Sequence, residues 1–145
     1  LLAALLQHPY FALRGPRSTG KEDFNLDWLD SVLAGFPAAE PVNVQATLAE
    51  FTAASIALAL EDFGAVDGVF VCGGGAHNAA LLARIAAAVG AAPVRDTAAL
   101  GIHPDWVEAA TFAWLAARTL AGLPGNAPQV TGARGERILG AIYPG

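Results

Sequence analysis

The run Val69-Phe70-Val71-Cys72-Gly73-Gly74-Gly75-Ala76-His77-Asn78 gathers the groups in this sequence best suited to hold a ligand. Three consecutive glycines let the backbone approach a bound molecule closely, because no Cβ stands in the way. Between the carboxyl end of a strand and the start of a helix, they also aim free N–H groups and the positive end of the helix dipole at one point. Phosphate is the natural guest of such a point. In open α/β sheets ligands bind outside the carboxyl ends of the strands, where this turn falls. It is not a Walker A loop, since no Gly-Lys-Ser/Thr follows, and it lacks the G-x-G-x-x-G spacing of dinucleotide sites. No Ser stands in a nucleophile elbow. The plainer alternative is a tight strand-to-helix turn in which Asn78 only caps the helix.

Other chemistry-bearing residues are fewer. His77, beside the glycines, is open to two readings: a phosphate or ribose contact, or an exposed turn residue. Asp96 follows a strand and is within reach of a ligand there. Asp105 and Glu108 open a helix, where carboxylates favour the dipole. His8 and His103 each precede a proline, with no further ligands nearby to make a metal set. Cys72, at a strand end, reads as a small core residue, and Trp28, Trp106 and Trp114 as core or interface aromatics.

These residues need elements to position them. Leu1 to Leu6 reads as a helix entered part-way, and the chain as a fragment of something longer. Thr19 and Glu22 have the spacing of a capping box ahead of a helix carrying Leu26, Leu29 and Leu33. Asn43 is the expected N-cap of a long helix from Val44 to Phe63, closed by Gly64. The unalternating apolar run from Asp67 to Cys72 predicts a central parallel strand buried on both faces. A helix from Asn78 to Val89 follows, then a short strand at Pro93-Val94-Arg95. Pro104 opens a helix over Asp105–Leu120. Gly122 to Gly135 reads as loop, and Ile138 to Tyr143 as either a closing strand or a segment that packs down. Strand, glycine turn, helix, strand, helix is an α/β order, and residues 1–145 read as one lobe with no internal repeat.

Composition narrows the function classes. The 145 residues are 54% hydrophobic and 14% charged, against roughly a quarter charged in ordinary domains. Intrinsic disorder is excluded, and apolar surface is left over for a partner lobe, a second copy or a closed cleft. A net charge of −5, with eight scattered basic residues, argues against nucleic acid. The longest charge-free stretch, Gly68 to Ala83, holds four glycines, His77 and Asn78, so no membrane span is expected. The single cysteine rules out an internal disulfide and fits a reducing cytoplasm.

The turn and its surroundings resemble the anhydro-N-acetylmuramic acid kinases, a branch of the actin/Hsp70/sugar-kinase superfamily. The similar segments run in family order: Pro9-Tyr10-Phe11; Arg17-Ser18-Thr19-Gly20-Lys21-Glu22 with Phe24-Asn25 and Trp28-Leu29; Asn43 to Leu48; and Cys72 to Asn78. Thr97, Leu100-Gly101-Ile102, Pro104-Asp105, Glu108-Ala109 and Phe112 to Ala116 follow, then Leu123 to Asn126, Val130 to Ala133, Leu139-Gly140 and Tyr143-Pro144. Arg17 and Lys21 stand where the family usually has Lys and Arg. That swap keeps charge but not hydrogen-bond geometry, so the Arg17–Glu22 segment is given no specific contact.

What the resemblance implies is a cytoplasmic enzyme of peptidoglycan recycling. It would use ATP, with Mg²⁺, and water to open 1,6-anhydro-N-acetylmuramic acid and phosphorylate O6. Its product would be N-acetylmuramic acid 6-phosphate. The implied fold is ribonuclease-H-like, with this chain as the C-terminal lobe of two. Carried over by position, Gly73, Gly74, Gly75 and Asn78 would line the nucleotide site, and Glu108 would face the sugar. The general base belongs to the N-terminal lobe, so no residue here takes that role. The alternatives are a non-catalytic nucleotide-binding or interaction module like the Hsp70-like relatives, and a stand-alone lobe that dimerises through its bare surface.

Overall fold

The computed structural model describes residues 1–143. Its element order is helix α1 (Leu2–Leu5), α2 (Leu26–Leu33), α3 (Pro41–Leu60), strand β1 (Val69–Val71), α4 (Ala79–Val89), β2 (Val94–Asp96), α5 (Val107–Leu120) and α6 (Pro128–Thr131). Single 3₁₀ turns lie at Pro9–Ala12, Glu61–Phe63, Gly74–His77, Thr97–Leu100 and Pro104–Trp106. This is an α/β architecture. No described helix is long and apolar enough to cross a membrane.

The α2 helix starts where its leucines predict, but its cap is different. Asn25 accepts the Trp28 N–H at 2.9 Å, while Thr19 Oγ1 donates to Asp23 Oδ2 at 2.7 Å, so the expected Thr19/Glu22 capping box does not form. The reason is burial: Asp23 and Phe24 both turn back onto the Gly20 carbonyl. That turn brings the Phe24 ring to 4.6 Å from His8, 5.1 Å from Trp28 and 5.8 Å from Phe11, centroid to centroid. An aromatic cluster of this size outweighs one local cap.

The long helix α3 likewise begins earlier than expected. Its N-cap is Glu40, with Pro41 at the first position, where a missing N–H costs nothing. Asn43 is therefore inside the first turn, and its carbonyl accepts Thr47 Oγ1 at 2.7 Å. The α-helix ends at Leu60, and Gly64 stops the following 3₁₀ turn at φ +69°. Helix α3 packs against α4 and α1, with Arg84 Nε 3.4 Å from Glu50 Oε2 across the α3–α4 contact. Leu5, Ala53 and Ile85 are the apolar side chains buried there.

Strands β1 and β2 pair in parallel, with Val69 opposite Val94, Phe70 opposite Arg95 and Val71 opposite Asp96. Helix α4 is the connection between them. Among the described residues the sheet has these two strands, so β1 is not buried on both faces. Phe70 is 40% exposed, and Cys72 is exposed rather than a core residue. The tail contains α6, where the composition suggested only loop. Ile138 to Tyr143 forms no strand; it stays exposed and is tied to α5 through Thr119 Oγ1, which donates to the Leu139 carbonyl. Pro144 of the tail signature lies outside the described residues.

Candidate functional site

The glycine turn forms at the carboxyl end of β1 and leads into α4, as its sequence predicts. Gly73 sits at φ +69°, a region side-chain-bearing residues rarely enter, and this bends the chain away from the strand direction. Its N–H donates to the Pro104 carbonyl at 2.9 Å, so one of the three glycine amides is already committed within the protein. The Ala76 N–H returns to the Gly73 carbonyl and the Asn78 N–H to that of Gly75, at 3.0 and 3.1 Å. The amides of Gly74 and Gly75 have no acceptor among the described residues. A Cβ built on Gly74 meets nothing within 4 Å, and one on Gly75 meets only Leu81 Cδ2 at 3.6 Å. Two unpartnered donors thus sit ahead of α4 in a turn with room on its Cβ side, an arrangement able to hold an oxyanion.

Asn78 caps α4: its Oδ1 accepts the Leu81 N–H at 3.0 Å, leaving the amide nitrogen as a spare donor at the turn's edge. Capping and ligand contact do not compete for the same atom. Glu108 lies in the first turn of α5, exposed and without an ion-pair partner among the described residues. Asp96 is the last residue of β2 and is used locally, accepting the Ala98 N–H at 2.9 Å. Next to it, Thr97 Oγ1 is buried with no hydrogen-bond partner, at the end of the sheet where ligands bind.

His77 and Asp105 are brought together, which their separate places in the sequence did not reveal. His77 Nε2 lies 2.6 Å from Asp105 Oδ1, and the Asp105 N–H donates to His103 Nδ1 at 3.3 Å. Among the described residues no group of three His, Cys, Asp or Glu side chains is placed to hold a metal ion. Arg17 and Arg14 are elsewhere: both pair with Asp62 just past α3, at 3.4 and 3.8 Å, and Arg17 lies 5.7 Å above the Tyr10 ring. Trp28 joins the aromatic cluster, whereas Trp106 and Trp114 are 66% and 53% exposed and belong to no core.

A family model described as anhydro-N-acetylmuramic acid kinase matches residues 1–145. Curated proteins of that name are similar throughout: one from Thiobacillus denitrificans is 58% identical over 147 residues, covering 99% of this chain and 39% of that protein. One from Pseudomonas paraeruginosa is 56% identical over 145 residues, covering 99% and 40%, and one from Pseudomonas putida 53% identical over 148 residues, with the same coverage. The chain therefore spans about 40% of the length of these relatives.

Proposed function

The chain belongs to the anhydro-N-acetylmuramic acid kinase family, and on that premise we propose that it is the nucleotide-holding, ribonuclease-H-like C-terminal lobe of such a kinase. The complete enzyme would act in the cytoplasm. It would add water across the 1,6-anhydro bond of anhydro-N-acetylmuramic acid and pass the γ-phosphoryl group of ATP to the freed O6, leaving ADP. The observation that carries this reading is the glycine turn ahead of α4, with two unpartnered amides and no side chain crowding its Cβ side.

In this reading the Gly74 and Gly75 N–H groups donate to phosphate oxygens, and the Asn78 amide nitrogen adds a donor beside them. Phosphoryl transfer is governed mainly by positioning and by neutralising phosphate charge, so holding the triphosphate still is a substantial contribution. Glu108 accepts hydrogen bonds from the sugar side, and the base that activates water comes from the N-terminal lobe. Mg²⁺, when bound, neutralises the phosphates. The described residues offer it no three-ligand site, so it would be held by the nucleotide and by groups outside this chain.

Gly74→Val tests the reading in the complete kinase. The new side chain occupies the phosphate approach, yet its Cβ touches nothing in the protein. ATP affinity measured by calorimetry falls at least about a hundredfold, about 2.7 kcal/mol, while the melting temperature stays close to the parent's. A variant that binds ATP as the parent does would remove the turn from the nucleotide site.

A further inference from the structure

The glycine turn is fastened at both ends and free in the middle. At its first residue, the Gly73 N–H donates to the Pro104 carbonyl; at its last, His77 Nε2 meets Asp105 Oδ1 at 2.6 Å. Both anchors are adjacent residues of the 3₁₀ turn that feeds directly into α5. Between the two fastenings lie Gly74 and Gly75, the residues with unpartnered amides. Glu108 stands three residues beyond Asp105, in the first turn of α5.

We infer that Asp105 is a positioning residue that clamps the glycine turn, through His77, onto the start of α5. The inference rests on the nucleotide reading of that turn. An ionised carboxylate can only accept, so the His77 nitrogen facing Asp105 carries the proton, and the imidazole is held in one orientation. Asp105 is itself held, since its backbone N–H is bonded to His103 Nδ1 at 3.3 Å, and the His103 carbonyl accepts the Trp106 N–H at 2.9 Å. Without the clamp, the turn keeps its internal bonds and the Asn78 cap, but the Gly73 N–H to the Pro104 carbonyl is the one hydrogen bond left that ties it to the start of α5. Part of the nucleotide's binding energy is then spent ordering the turn. His77 and Asp105 are both more than half exposed, so breaking their pair leaves no buried charge, and the fold survives the substitutions.

The test is a double-mutant cycle in the complete kinase, with MgATP and the anhydro sugar as substrates. Asp105→Ala and His77→Ala each raise KM for ATP about fivefold, about 1 kcal/mol, with kcat held within about twofold because neither residue touches the reacting atoms. The double variant is no worse than the weaker single one, as expected when two residues act through one bond. Asp105→Asn, whose carbonyl still accepts from His77, recovers most of the loss. Additive effects in the double variant, or an unchanged KM for ATP while Gly74→Val in the same protein abolishes nucleotide binding, overturn the clamp alone. A silent Gly74→Val overturns the nucleotide reading, and the clamp with it.

Discussion

Neighbouring glycines in the turn carry different duties, and substitution separates them. Gly73 lies at φ +69°, ψ −166°, a region essentially closed to residues with a Cβ, while Gly74 has no positive φ and open space on its Cβ side. Gly73→Ala therefore loses about 1–3 kcal/mol of stability, read as a lower urea midpoint, and Gly74→Ala stays within about 0.5 kcal/mol of the parent. Equal effects at the two positions would mean that the turn's shape does not depend on Gly73. The sequence made the three glycines legible as a close-approach site, but not this division, because φ depends on where the Pro104 carbonyl sits thirty-one residues on. The same limit hid the His77–Asp105 pair. Each looked like a local feature, a turn residue and a first-turn charge, and only the packing of the Pro104–Trp106 turn against the glycine turn joins them.

Among the elements, apolar spacing located the helices well and capping chemistry located their starts less well. Leucine spacing placed α2, and the Asn78 cap and apolar stripe placed α4 to within one residue. The strands were legible from their β-branched runs, though the burial of β1 was not, since a two-stranded sheet leaves Phe70 facing solvent. Two caps were misjudged because a neighbouring constraint, different in each case, outweighed the local cap. Thr19/Glu22 and Asn43 are sound local caps, but the aromatic cluster around Phe24 in one case and Pro41 in the other set the helix start instead. Asn25 is the cap that forms, so Asn25→Ala costs about 1 kcal/mol of stability. Thr19→Ala and Glu22→Ala, on an exposed loop, each cost under about 0.5 kcal/mol. Denaturant midpoints for the three variants decide the matter: a larger loss at Thr19 than at Asn25 would restore the capping box.

At the scale of the whole molecule, surface area states what composition only hinted. A compact monomer of this chain's 14.8 kDa exposes about 7,000 Å², yet this one exposes 9,779 Å². The difference is comparable to the area a large obligate interface removes from water. It is apolar in character: Trp106, Phe112, Trp114, Leu120 and Ile142 are all more than half exposed along α5 and the tail tied to it. Surface of that kind is what the second lobe of the proposed kinase would cover, with the base for activating water on the covering side. The 145-residue chain expressed by itself then binds the apolar dye anilinonaphthalene sulfonate strongly, and it releases no ADP from MgATP and the anhydro sugar. The complete kinase binds the dye weakly and turns over. Steady ADP release by the isolated chain would place the catalytic groups within these residues and refute the division of labour between lobes. Weak dye binding by a monomeric isolated chain would mean that the apolar face closes on itself in solution, and the surface argument for a second lobe would fall.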